Sequence, residues 1–285
     1  MKTDEDKFSA IWLSHSSISD FLTCPQLYYY SHVYKNPRSG RKITLMNSSL
    51  ALGQSIHTVF DEIAGLPVEE RLKQSLVDRF EHIWPSVSGK KGGFSTDKQE
   101  QEYKERGRSM LQRITHNPGP IIRKALKSKQ DIPWFWFSEK DNLILSGKID
   151  WIEYIKETNS IHIIDFKTGR KQDSNSLQLP IYLLLATKTQ TRPVSKMSYW
   201  YLDRDDGLEE VPIPDFDDSF EKVMKVGQRV KLARQLHHYK CSTDEKNGCR
   251  ACAPYFAIVQ GKGEFVGIGE FNKEIYILPD EEVAL

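Results

Sequence analysis

Three short stretches hold the residue types best suited to chemistry: Gly147-Lys148-Ile149-Asp150, Ile163-Ile164-Asp165-Phe166-Lys167-Thr168-Gly169 and Gln178-Leu179-Pro180-Ile181-Tyr182. Asp165 and Lys167 are two apart, so on a strand both project from one face. If the apolar runs on either side of Glu157-Thr158 pair as a hairpin, Asp150 falls directly opposite Asp165. Side chains so placed stand roughly 4.5–5.5 Å apart at Cβ, where two carboxylates repel. A cation between them reverses the sign of that interaction. A register slip would instead move Asp150 to a diagonal position or to the other face. Carboxylate and carbonyl donors favour hard ions such as magnesium and manganese. Such an ion acidifies a bound water and polarises a phosphoryl oxygen. Lys167 would then orient the attacking water or neutralise charge developing on the phosphate. The plainer alternative is a solvated hairpin with a surface Asp–Lys pair.

Other candidates surround this trio. His57 shares the apolar face of a helix expected over about 49–65 with Leu52, Ile56, Val59, Phe60 and Ile63. A satisfied core histidine is the ordinary reading there, whereas an imidazole added to two carboxylates would suit manganese as well as magnesium. Gly53, one turn earlier, would let that helix approach another backbone closely. Gln178 and Tyr182 are one helical turn apart and share a face. They either meet phosphate or base, or serve as a capping Gln and a half-buried Tyr. There are four cysteines, Cys24, Cys241, Cys249 and Cys252. Clustered cysteines in a cytosolic chain point to a metal site or redox chemistry more than to disulfides.

The elements that must position these residues follow from periodicity. Residues 14–34 read as a helix carrying Phe21, Leu22, Leu27, Tyr28 and Tyr30, with Pro25 starting a second helix after Cys24. Stretches 67–83 and 97–127 read as polar amphipathic helices around a flexible Ser86–Gly93, giving a helical insertion over 66–130. From 133 the period shortens. Trp134–Ser138, Leu143–Tyr154 and Ile161–Asp165 read as three consecutive strands, followed by a helix over 175–188 and a strand over 195–202. Residues 133–203 thus form a catalytic sheet core. A helix over 215–239, a cysteine-rich segment over 240–255 and short strands over 265–268 and 275–278 complete a single domain spanning 1–285.

Composition limits the options. A net charge of +1 over 285 residues announces no global field for coating duplex DNA, although an enzyme needs only a local basic groove. Lys35, Arg38, Arg41, Lys42, Lys90, Lys91, Arg123, Lys124, Lys127 and Lys129 could supply one, or could be solvated faces. Trp134-Phe135-Trp136-Phe137 could stack bases, though a packed strand is the simpler expectation. No apolar run approaches a membrane span and the N-terminus lacks a signal-peptide apolar region, so a cytoplasmic protein without a membrane partner is the default.

At these residues the chain resembles the PD-(D/E)XK nuclease superfamily, specifically its RecB-like branch. That branch includes the RecB and AddB nuclease domains and the CRISPR-associated RecB-like exonucleases. The matching positions are Gly53-x-x-Ile56-His57, Gly147-x-x-Asp150, Asp165 with Lys167, and Gln178-x-x-x-Tyr182. Ser17-Ile18-Ser19-x-Phe21-x-x-Cys24-Pro25-x-x-Tyr28-Tyr29-Tyr30 resembles the branch's opening helix, so the likeness spans about residues 14–255. Order and spacing together make it specific. It implies an α/β, restriction-endonuclease-like core, with a mixed central sheet flanked by helices. It also implies magnesium or manganese held by His57, Asp150, Asp165 and the carbonyl of Phe166. Lys167 would be catalytic, and Gln178 and Tyr182 would position DNA.

The same resemblance bears on the cysteines. Several RecB-like nucleases use one early and three late cysteines to hold an iron–sulfur cluster, and Cys24, Cys241, Cys249 and Cys252 have that distribution. A 4Fe–4S cluster is therefore expected. Structural zinc fits the same count, and unligated thiols are the remaining alternative. One departure is plain: the close pair Cys249-Arg250-Ala251-Cys252 comes last here, whereas those relatives commonly place it first. The expected activity is a metal-dependent DNA nuclease, an exonuclease preferring single strands or free ends, with recombination or repair proteins as candidate partners. The competing functions are a non-catalytic DNA-binding module of the same fold and a redox-sensing DNA-processing protein.

Overall fold

Isoleucine and aromatic residues recur in the strand segments between Trp134 and Tyr201, and such side chains suit a pleated, buried surface. A computed structural model describes residues 6–126, 130, 132–169, 176–204, 207–241, 243 and 247–279. In order, its main elements are β1 (Ile11–Leu13), α1 (His15–Thr23), α2 (Pro25–Tyr28), β2 (Ile43–Leu45), α3 (Ser48–Ala64), α4 (Leu76–Ile83), α5 (Asp97–His116) and β3 (Trp134–Ser138). Then come β4 (Leu143–Ser146), β5 (Trp151–Ile155), β6 (Ser160–Lys167), α6 (Gln178–Thr189), β7 (Val194–Tyr201), β8 (Leu208–Val211), α7 (Phe216–Gln235), α8 (Ala253–Val259), β9 (Glu264–Ile268) and β10 (Glu274–Ile277). The chain divides into two units, one of Met1–His15, Gly53–Ile83 and Glu105–Gln228, the other of Ser16–Leu52, Trp84–Lys104 and Arg229–Leu285.

The first unit holds two sheets. One has the order β5-β6-β7-β8, with β6 antiparallel to β5 and parallel to β7. All but the last residue of β6 are buried, as expected of a strand covered on both faces. The β5–β6 register runs from Trp151↔Ile164 to Ile155↔Ser160, so one further step sets Asp150 against Asp165, as the hairpin reading requires. The other sheet, β1-β4-β3, takes the first part of the Leu143–Tyr154 run. That run is two strands rather than one, separated at Gly147–Asp150. A Cβ on Gly147 would stand 3.0 Å from Leu185 Cδ1, so the chain changes sheets where its backbone presses on α6.

Helix α6 is buried from Gln178 to Ala186 except at Pro180, which lies in its first turn, where a missing N–H costs nothing. Two helices are shorter than expected. Within 67–83 the α-helix begins only at Leu76, where Ser75 Oγ accepts the N–H of Asp78 at 3.3 Å. Helix α5 stops at His116, because Pro118 and Pro120 cannot continue it.

The second unit has the sheet β2-β10-β9, in which β2 is parallel to β10. Ile43, Ala257, Ile258 and Leu278 form one buried cluster there. Together these are mixed sheets flanked by helices, the restriction-endonuclease-like α/β class. No helix among the described residues is long and apolar enough to cross a membrane.

Candidate active site

Strand β6 carries Asp165 and Lys167 on one face at its carboxyl end, where parallel α/β sheets commonly bind ligands. Lys167 Nζ lies 2.6 Å from Asp165 Oδ2. Gln178, at the start of α6, ties the two together. Its Oε1 accepts from Lys167 Nζ at 2.6 Å, and its Nε2 donates to Asp165 Oδ1 at 2.6 Å and to the Tyr182 hydroxyl at 3.1 Å. These contacts fix which way the amide points. Gln178 and Tyr182 therefore form part of the buried acid–lysine array.

Asp150 approaches from the start of β5. Its Oδ2 accepts the backbone N–H of Phe166 at 2.9 Å, and its Oδ1 lies 3.4 Å from His57 Nδ1. The Phe166 ring stacks on Phe60 with centroids 4.1 Å apart, anchoring this part of β6 to α3. His57 is thus not a core histidine: its side chain is 36% exposed and turned to Asp150. Gly53 is not demanded by packing, since a Cβ there would meet Thr168 Oγ1 at an ordinary 3.5 Å.

The electrostatics are those of two crowded carboxylates. Burial, and then the charge of Asp150, push the Asp165 carboxyl up to about 7 against the pull of Lys167. For Asp150 burial also opposes ionisation, but His57, the Phe166 N–H and Lys167 together hold it below the usual carboxylate range. Burial pulls the His57 imidazole down, and Asp150 more than reverses this. Burial and the two carboxylates raise the Tyr182 phenol well above its ordinary value. Asp165 Oδ2 is buried and faces the Lys167 ammonium at 2.6 Å. Two carboxylates and an imidazole are donors of the kind a hard divalent cation takes.

Further contacts brace the site without any motif in the sequence to announce them. Arg106 Nη2 donates to the carbonyl of Thr168 at 2.6 Å, and its Nε donates to Asp203 at 3.0 Å. Ser176 Oγ accepts the N–H of Gln178 at 3.3 Å and lies 3.2 Å from His15 Nε2. The opposite face of the same sheet carries a chain of polar groups, buried at Ser198, His162 and Glu153 and ending on the exposed Arg123. Ser198 Oγ is 2.8 Å from His162 Nε2, His162 Nδ1 is 3.0 Å from Glu153 Oε2, and Arg123 Nη1 donates to Glu153 Oε1 at 2.9 Å.

Other expectations fare differently. Trp134 packs on Trp12 and Phe137 on Phe220, so the aromatic run is a packed strand rather than a stacking platform. Lys90 pairs with Glu264 and Arg123 with Glu153. Lys127, Lys129 and the acidic Asp280-Glu281-Glu282 lie outside the described residues.

The four cysteines converge within the second unit. Cys24 and Cys252 are fully buried, and all four Sγ atoms lie within 4.8 Å of one another. Sγ of Cys252 is 3.7 Å from those of Cys249 and Cys241. The N–H of Cys249 donates to Cys241 Sγ at 3.3 Å. Burial opposes ionisation of Cys241, but the Thr243 hydroxyl, Thr243 and Cys249 N–H groups and Cys24 bring its thiol down to about 6. A thiol set of this kind can hold a metal centre.

One solved structure, of a candidate exonuclease from Eubacterium rectale, superposes with a TM-score of 0.50 at 13% identity, covering 88% of this chain and 92% of the other. That likeness shows the fold. No curated protein matches the sequence. Residues 12–255 match the description of the PD-(D/E)XK nuclease superfamily. A match of that extent, over a chain whose central strand presents Asp165 and Lys167 opposite Asp150, places the protein in the PD-(D/E)XK nuclease superfamily.

Proposed function

We propose that the protein is a magnesium- or manganese-dependent deoxyribonuclease of the RecB-like branch, acting on single strands or free DNA ends as an exonuclease. The observation that carries this reading is the closed array Asp165–Gln178–Lys167, with Asp150 and His57 beside it. Binding alone would not require a half-buried carboxylate beside a fully buried one, whose own burial and that neighbour push its pKa up to about 7. The preference for single strands or ends, and a setting in repair, recombination or defence, rest on the resemblance in residues 14–255.

In this mechanism His57, Asp150, Asp165 and the Phe166 carbonyl would hold the divalent ion, which when bound would acidify a water and polarise a phosphoryl oxygen. Lys167 stands 2.6 Å from Asp165, where a water activated at the site would lie within its reach. Its ammonium orients the water or offsets charge growing on the phosphate. Gln178 holds Lys167 and Asp165 in fixed relation, so neither has to reorganise during the reaction. Tyr182, kept neutral by its surroundings, is a positioning group.

The test is cleavage of end-labelled single-stranded DNA with manganese, comparing the wild type with Lys167→Ala. The reading requires a product ladder from the wild type and its loss in the variant, with circular dichroism unchanged. A purified protein inert on single-stranded, duplex and flapped DNA with both metals would sink it.

A further inference from the structure

The resemblance leads to a four-iron cluster at the cysteines, but the sulfur positions do not fit one. In a tetrahedral zinc site the Zn–S bonds of about 2.3 Å set the sulfurs about 3.8 Å apart. In a 4Fe–4S cluster each thiolate points outward from a different corner, which puts the sulfurs roughly 6–7 Å apart. Here the Cys249–Cys252 and Cys241–Cys252 separations are both 3.7 Å, and no pair among the four exceeds 4.8 Å. We propose that Cys24, Cys241, Cys249 and Cys252 hold a single tetrahedral zinc ion in place of an iron–sulfur cluster.

The surroundings keep the sulfurs close. Cys252 Sγ lies against the backbone of Gly248, where an added Cβ would stand only 2.5 Å from it. Gly248 also adopts φ +84°, a left-handed conformation that suits glycine. The Cys252 sulfur therefore cannot retreat on that side to make room for a cluster. The N–H of Cys249 donates to Cys241 Sγ, while the N–H groups of Cys252 and Ala253 both bond the Cys249 carbonyl at 3.0 and 2.9 Å. This tight turn delivers the last two thiols as a pair, with one sulfur already supported by a backbone donor. Placing the close pair at the end of the motif is thus part of a compact, mononuclear site. Loading balances simply: each of the four thiols gives its proton to solvent, four S–Zn bonds form, and the site carries a net charge of −2. No electron is transferred.

Metal analysis tests this independently of nuclease activity. The full chain is produced in cells supplied with both iron and zinc and purified without oxygen. About one zinc per chain in a colourless protein is expected. A brown protein with about four irons and matching inorganic sulfide would overturn the proposal, as would a metal-free protein with four reactive thiols. As a probe, cobalt(II) added to zinc-stripped protein should bind once per chain and give the spectrum of a tetrahedral thiolate site. Cys252→Ser should abolish it. Because that variant could fail to fold, Gly248→Ala is the companion, with cobalt affinity expected to fall roughly 10–100-fold at unchanged far-ultraviolet circular dichroism. Wild-type cobalt affinity in Gly248→Ala would contradict the packing on which the site depends.

Discussion

Asp150 is held by the backbone beside the other acid: its Oδ2 accepts the Phe166 N–H at 2.9 Å while its Oδ1 faces His57 at 3.4 Å. The residue therefore has one oxygen for structure and one for the site. In Asp150→Asn the amide oxygen must stay on Phe166, which turns the NH2 group toward His57 and away from any cation-binding role. Cleavage is expected to fall about 10²–10³-fold. Manganese binding, followed by calorimetry, should weaken in parallel. Full activity in this variant would remove Asp150 from the metal set.

Lys167 makes a different demand. It contacts Asp165 and Gln178, and its ammonium lies 5.6 Å from the Tyr199 ring centroid. Lys167→Ala should lower kcat about 10²–10⁴-fold, the range expected for a lost proton-transfer or charge-stabilising group. The Kd for single-stranded DNA should change far less, and a gel-shift titration beside the kinetics would separate the two. Equal losses in both would make Lys167 a binding residue.

Asp165 links stability to pH in the metal-free protein. An unfolded carboxyl gives up its proton near 3.8, whereas the folded one keeps it up to about 7. The folded state thus binds more protons across that window, and stability declines as pH rises through it. Asp165→Asn removes the penalty while abolishing cleavage. In a chelator at about pH 8 the variant should melt roughly 2–6 °C higher than wild type, and the gap should close towards pH 4. A lower melting temperature for Asp165→Asn at alkaline pH would contradict this account.

Glu153 shows the opposite sign. Burial raises its pKa, but hydrogen bonds and charge from His162 and Arg123 bring it below the usual range. Its contribution is present above about pH 4.5 and is lost as pH falls through the depressed folded value. Glu153→Gln should cost about 3 kcal/mol at neutral pH by breaking a buried pair, and should flatten the acid limb of the stability profile. Denaturant melts at several pH values would measure both. Because this group is on the sheet face away from Asp165, cleavage by the folded variant should persist.

The parts of the site that local periodicity controls were legible in the sequence. Two-residue spacing puts Asp165 and Lys167 on one strand face, four-residue spacing puts Gln178 and Tyr182 on one helix face, and hairpin pairing sets Asp150 against Asp165. His57 was ambiguous, because apolar neighbours at helical spacing cannot say whether a partner acid waits outside the core. The break inside Leu143–Tyr154 was hidden, since buried strands read alike whichever sheet they join. Short strands were missed for a related reason. Three residues at β1 and three at β2 gain their character from parallel partners far along the chain, Leu143–Leu145 and Glu274–Tyr276. Arg106 looks like any charge on a polar helix until the Thr168 carbonyl it holds is placed.

The cysteine site also imposes an order on synthesis. Cys24 leaves the ribosome more than 200 residues ahead of its three companions. Until they emerge β2 lacks β10, and the first thiol has no set to join. The hairpin bearing Asp150 and Asp165 has all of its strand partners by Val211. A chain cut short before Cys241 can therefore carry every residue of the candidate active site while its four-thiol set stays incomplete. Assembly of the four-thiol set therefore follows, and does not precede, the synthesis of the sheet that carries Asp150, Asp165 and Lys167.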